Sequence, residues 1–181
     1  MLRDLWSFQG RYRTLHLTWF AFFLSFVVWF NLAPLATTVR ADLGLTLGQI
    51  RTVAICNVAL TIPARVLIGM LLDKYGPRIT YSGILVFSAI PCLMFASAQD
   101  FNQLVISRLL LSIVGAGFVI GIRMVAEWFP PKEIGLAEGI YGGWGNFGSA
   151  FSALTMVALA GFLSFSGGFE LPTGAVLNWR G

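Results

Sequence analysis

The chain has 181 residues, 57% of them hydrophobic and 11% charged, less than half the charged share of an ordinary soluble domain. Its mean hydropathy of +0.79 excludes a disordered, collagen-like or disulfide-stapled chain and a water-soluble globule, because too few polar residues remain to cover an outer surface. The net charge of +4, from 12 basic and 8 acidic residues, does not describe a nucleic-acid binder, since the bases stand singly between apolar runs with no basic stripe. The apolar residues gather instead in blocks long enough to cross a bilayer, which predicts an all-α polytopic membrane protein.

Residues 1–14 read as a cytoplasmic tail in which Trp6, Phe8 and Tyr12, set among arginines, form an interfacial anchor. The first apolar block runs from about Leu15 to Thr38, with no formal charge between Arg13 and Arg40. It is longer than a signal-peptide core and lacks a small-residue cleavage site, so a retained span is expected. The second block lies between Arg51 and Asp73 and holds one charge, Arg65; the third lies between Arg78 and Asp100 and holds none. The fourth runs from about Phe101 to Ala126 with Arg108 and Arg123 near its ends, and the fifth from near Ile134 to about Ser164. Each exceeds the ~20 residues that a helix needs to cross ~30 Å of hydrocarbon. Residues 15–164 are therefore expected to form about five transmembrane helices. Residues 165–181 read as an extracytoplasmic segment whose edge, Asn178-Trp179-Arg180-Gly181, leads toward a sixth helix beyond this chain.

Short connections make neighbouring spans antiparallel. The side that holds the N-terminus carries six bases (Arg3, Arg11, Arg13, Lys74, Arg78 and Lys132) and the other side three (Arg40, Arg51 and Arg180), which places the N-terminus in the cytoplasm. Cys56 and Cys92 both fall inside spans, which speaks against a structural disulfide.

Charge inside the membrane carries the chemistry. Arg65 lies close to the bilayer middle, where an arginine costs on the order of 2.5–3.5 kcal/mol on insertion scales. Asp73, about 12 Å further along the same helix, is too far to neutralise it, so the guanidinium is expected to face a protein interior or a water-filled cavity and to recognise a planar oxyanion. Asn57 and Thr61 extend a polar stripe from Arg65, equally readable as helix–helix contact or as pathway lining. The fifth span opens on a glycine-rich run from Gly135 to Gly148, mostly read as close helix packing. Within it, Gly142 lies one turn before the amide of Asn146, a pair that a small ligand could approach closely. A bulky residue at Gly142 or Gly145 is expected to block helix approach or substrate access, alanine being milder at both. The fourth span carries a similar patch, Gly115-Ala-Gly117-Phe118. Arg123 is expected to pair with Glu127 one turn on, and Arg108 either to snorkel or to take part in coupling. The single histidine, His16, and the absence of any Cys/His or carboxylate cluster with ligand spacing leave no metal site in view. With no P-loop either, neither a cofactor nor an enzyme activity is expected.

Gly69-Met-Leu-Leu-Asp73-Lys-Tyr-Gly76-Pro-Arg78 resembles the cytoplasmic loop motif of the major facilitator superfamily, with Pro77 departing at one basic position. Arg108 with Gly115 partly resembles its fourth-helix motif, Ser112 standing where a glycine is usual. Gly139 to Ala150 closely resembles the fifth-helix signature of the nitrate/nitrite porter family, G-G-x-G-N-x-G. The resemblance covers essentially the whole chain. It implies most of the N-terminal six-helix half of a twelve-helix facilitator that moves nitrate and/or nitrite by alternating access in the plasma membrane, the site being completed by a second half. It implies that Arg65 binds the anion, that Asn146 and Gly142 contact it and that Phe118 packs on it. Leu32, with Phe30 and Trp29 nearby, stands for the family's first-helix aromatic. Gly69, Asp73, Lys74, Gly76 and Arg78 would form the conformational-switch loop, and Arg108 is a candidate for coupling. The partners implied are the anion, the lipid bilayer and the second transporter half. Two alternatives stand beside this: a facilitator of another small anion or drug, and a membrane scaffold or sensor whose glycine spans serve packing alone.

Overall fold

A computed structural model of the chain describes residues 7–165 together with 169–170 and 177 and its neighbour 176. Trp6 of the expected anchor and most of segment 165–181, including its terminal aromatic edge, lie outside the described residues. The helices are α1 (Gly10–Trp29), α2 (Leu32–Asp42), α3 (Leu47–Ala59), α4 (Thr61–Ala96), α5 (Phe101–Leu111), α6 (Gly117–Trp128) and α7 (Pro131–Phe165), with a 3-10 segment at Ser112–Ala116 joining α5 to α6. Phe169–Glu170 pairs antiparallel with Val176–Leu177.

Among the described residues, three helical stretches are long and apolar enough to cross a membrane: Gly10–Asp42, Leu47–Ala96 and Phe101–Trp128, of 33, 50 and 28 residues. At ~1.5 Å per residue the middle one would measure ~75 Å if straight, more than two bilayer cores. It is not straight. Gly76 has φ 76° and ψ 166°, a left-handed conformation that a Cβ would oppose, and the chain folds back there. Ile68 and Ile84, on opposite sides of Gly76, line one groove and join the same core cluster. The second expected span is thus α3 followed by the first arm of α4, and the third is the second arm. The two arms are joined through a single residue rather than a loop, with Pro77 opening the second arm at a position where its missing N–H costs nothing.

Other reversals are set by caps. Gly44 (φ 60°) follows α2, and Thr46 and Gln49 form a reciprocal capping box at the start of α3. Asp100 accepts from the Gln103 N–H at the start of α5 (2.8 Å). Within spans, three helices change course near one level. α1 gives way to α2 at Phe30–Asn31, α3 gives way to α4 at Leu60, and α5 rewinds as a 3-10 turn at Ser112. Pro63, whose ring crowds the carbonyl four residues back, accounts for the break at Leu60. The freed Leu60 N–H donates to Ser112 Oγ (3.2 Å), a role that the glycine usual at that position could not fill.

The same level settles the polar stripe. Asn57 Nδ2 donates to Trp29 O (3.1 Å) and Trp29 Nε1 donates to Asn57 O (2.6 Å). Thr61 Oγ1 donates to Ser112 O (3.1 Å). Asn57 and Thr61 hold helices together, and only Arg65 remains exposed on that stripe.

One core cluster joins α1, both arms of α4, α6 and the start of α7 through Leu15, Phe22, Ile68, Leu72, Tyr81, Ile120 and Tyr141. A second, around Leu35, Val39, Val53, Phe95 and Leu104, sits toward the opposite end. Tyr12, expected at the interface, is buried against Phe129. Large apolar residues such as Ile62, Val86 and Leu154 face outward, each about three-quarters exposed, as a lipid-facing surface requires.

Candidate functional site

α7 runs alongside α1, and the glycine-rich run divides between two faces. At Gly145 an added Cβ would fall inside the Phe22 ring, and at Gly148 onto the carbonyl of Phe23. These glycines let the two backbones meet, which is the packing expected of most of them. At Gly135, Gly139, Gly142 and Gly143 an added Cβ would meet nothing within 4 Å. Alanine is therefore sterically free at Gly142 but not at Gly145, where even a methyl group meets the Phe22 ring.

Of the residues singled out, Arg65 and Phe118 come together. The Arg65 Cζ lies 5.9 Å from the centroid of the Phe118 ring, at the outer limit of a cation–π contact. No carboxylate pairs with Arg65 among the described residues. Phe118, on the first turn of α6, also packs on Phe22 (5.6 Å) and Tyr141 (6.3 Å). Tyr141 immediately precedes Gly142, so α7 reaches the Arg65–Phe118 pair through that ring. Gly142 and Asn146 are joined on α7: Asn146 Nδ2 donates to Gly142 O at 2.7 Å. One amide hydrogen is thereby turned back on its own helix, while the exposed side chain keeps a second hydrogen and its Oδ1 for a ligand.

The α1 aromatic at Phe118 is Phe22, not the residues near Leu32. Leu32 lies in the second core cluster, Trp29 is bound to Asn57, and Phe30 packs on Phe26 and Trp29. Their register from Arg65 along separate helices gave no sign of this.

The loop motif sits apart, at the end of the bundle near Gly76. Asp73 pairs with Arg123, which also donates to Glu127 Oε1 at 2.8 Å. The Arg123–Glu127 pair is the one expected; the link from Asp73 across to α6 is added by the fold. The Lys74 ammonium stands 5.1 Å from the Tyr75 ring, Thr80 Oγ1 donates to Gly76 O (2.8 Å), and Gly69 and Arg78 complete the segment on either side. Nearby, Arg11 pairs with Glu133 (2.9 Å), tying α1 to the start of α7.

Arg108 is 0% exposed, so it does not snorkel. Its Nη1 donates to Asn31 Oδ1 (2.7 Å), and its guanidinium lies 3.6 Å from the Phe95 ring centroid. A cation this deep needs such contacts, because an uncompensated buried charge costs several kcal/mol. Asn31, at the break between α1 and α2, is a partner that sequence spacing did not disclose.

Chemically, an unpaired guanidinium beside an aromatic face offers a planar anion two in-plane donors and a surface to stack on. Groups of three or more His, Cys, Asp or Glu able to hold a metal are absent among the described residues.

Comparison with known proteins bears on this arrangement. Residues 18–179 match the family model described as Major Facilitator Superfamily. The chain is 64% identical to a Nitrate/nitrite transporter NrtP of Picosynechococcus, covering 99% of this chain and 36% of that protein. It is 62% identical to a Nitrate/nitrite transporter NrtP of Nostoc punctiforme, covering 99% of this chain and 35% of that one. A Probable nitrate/nitrite antiporter NarK1 of Thermus thermophilus is 33% identical over 94% of this chain and 38% of its own length. The chain thus spans little more than a third of the curated relatives that it matches.

Proposed function

The chain belongs to the major facilitator superfamily, and from that premise we propose that it forms the N-terminal portion of a secondary transporter of nitrate and nitrite. The observation that carries the reading is the exposed Arg65 guanidinium over Phe118, without an acidic partner among the described residues. A planar oxyanion accepts hydrogen bonds edge-on from the guanidinium while its face rests over Phe118. Gly142 leaves room beside it, and the Asn146 amide supplies a further donor. The names of the relatives support this choice of anion over organic anions or drugs.

In this reading, the second half of the full-length transporter completes the site, and the two halves rock around the bound anion. The Asp73–Arg123 pair and the bend at Gly76 act as the latch of the switch loop, joined by Gly69, Lys74 and Arg78. Arg108, bound to Asn31 at the α1–α2 break, is the candidate for coupling that break to α5. The protein lies in the plasma membrane with its N-terminus and the Gly76 bend in the cytoplasm.

Purified full-length transporter tests the substrate. Nitrate and nitrite at 100 times their Kd should each stabilise the protein by about 2.7 kcal/mol, visible as a rise in Tm, whereas lactate and benzoate should leave Tm unchanged. Stabilisation by the organic anions but not by nitrate would replace the reading with the alternative facilitator, and no response to any anion would favour a packing scaffold.

Orientation is tested separately. Gly48→Cys should react with a membrane-impermeant maleimide applied to intact cells, and Tyr75→Cys should be spared. Gly48 suits a reporter better than Gly44, whose φ of 60° would strain a cysteine. The reverse labelling pattern would invert the topology and detach the Asp73 segment from the cytoplasm.

A further inference from the structure

We infer that Tyr141 is a positioning residue for the anion site: its hydroxyl pins the start of α6 and thereby holds the Phe118 ring opposite Arg65. This rests on the reading of Arg65 and Phe118 given above and extends it to a residue that contacts neither the anion nor the guanidinium.

Tyr141 is 1% exposed. Its ring stacks on Phe22, centroids 4.6 Å apart and planes 21° from parallel, and that ring in turn packs on Phe118. The Tyr141 hydroxyl lies 3.3 Å from the Phe118 carbonyl and 3.4 Å from that of Gly117, to either of which it can donate. Those carbonyls stand where the chain passes from the 3-10 turn into α6, a transition whose winding changes by about 20° per residue. A shift of winding there swings the Phe118 side chain about the helix axis, away from Arg65. A donor from another helix, applied at that point, selects one setting.

Two glycines one turn apart on α6 make room for the clamp. An added Cβ at Gly121 would fall on the Tyr141 ring, and one at Gly117 would lie 3.2 Å from Tyr81 Cε2. The Tyr81 hydroxyl faces those of Tyr141 and Ser25, so the polar end of Tyr141 sits among hydroxyls rather than in bare hydrocarbon. Packing alone would be satisfied by phenylalanine at 141; the hydroxyl adds polar contacts, to the carbonyls of Gly117 and Phe118 and to the Tyr81 hydroxyl, of which only the first two bear on the start of α6.

The test is Tyr141→Phe in the full-length transporter, assayed as the concentration dependence of nitrate uptake in cells without other nitrate uptake. The ring, its stack on Phe22 and its place against Gly121 all remain. The expected result is a KM raised roughly five-fold, about what one lost buried hydrogen bond is worth, with Vmax per transporter and membrane level near wild type. In a Phe118→Leu background the same change should add little, because the ring that it positions is gone. Gly121→Ala, which displaces the Tyr141 ring, should raise KM in the same direction, and it decides the matter if Tyr141→Phe fails to reach the membrane. A wild-type KM in either variant, or a Tyr141→Phe effect undiminished in the Phe118→Leu background, would overturn the inference. If Arg65→Ala also leaves nitrate affinity unchanged, the site reading fails first; if Arg65→Ala abolishes binding while Tyr141→Phe does not, only the positioning role fails.

Discussion

Arg65→Ala is expected to weaken nitrate binding by at least a hundred-fold, since two charge-assisted hydrogen bonds worth roughly 1.5–3 kcal/mol each are lost together. Expression should survive, because Arg65 is exposed and its one described contact is the distant face of Phe118. Removing it also relieves the cost of a cation inside the membrane. Arg65→Lys separates two roles. Lysine keeps the charge but not the planar fork, so a clamp for a planar oxyanion predicts affinity far below wild type, whereas a purely electrostatic attraction predicts near-normal affinity. Calorimetry or nitrate-dependent Tm of purified full-length variants reads both. Wild-type affinity in Arg65→Ala would remove Arg65 from the site altogether.

A second large effect is expected at Gly145. Leucine there must displace Phe22 or push α7 off α1, and Phe22 is also the ring that supports both Tyr141 and Phe118. Gly145→Leu should therefore abolish both uptake and cooperative unfolding of the purified protein. Gly145→Ala should cost about 3 kcal/mol, the upper end of the range for an overpacked core, seen as a clear fall in Tm. Gly142→Ala, with open space around it, should leave Tm unaltered and change nitrate KM alone. Equal Tm values for the two alanine variants would show that α1 and α7 do not approach as described.

The apolar helical stretches were legible because a membrane makes charge placement expensive: bases and acids gather at the ends of such runs, and the lone cation Arg65 within one stands out. Faces were harder. Gly142 and Gly145 are three residues apart in one glycine-rich run, and only the position of Phe22 distinguishes open space from contact. Asn57, Thr61 and Arg65 share a stripe, yet the first two bind Trp29 and Ser112, because the break at Leu60 brings those groups within reach. Arg108 looked free to snorkel two turns from a border, but Asn31 and Phe95 come from other helices to enclose it. Tyr141 carried no signal beyond being an aromatic among glycines, since its role depends on a change of winding in a different span. Helix existence follows local composition; which neighbour a side chain meets follows from where breaks and bends fall.

Gly76 also shapes how the chain enters a bilayer. The first arm of α4 carries Arg65 and is burdened by it, while the second arm is uncharged from Ile79 to Gln99. Between them stands one bent residue, with no hydrophilic connector long enough to let either arm insert and settle by itself. The two arms therefore partition as one hairpin, the apolar surplus of the later arm offsetting the unfavourable transfer of the earlier. Biogenesis of the helix that carries Arg65 is in this way underwritten by the helix made immediately after it.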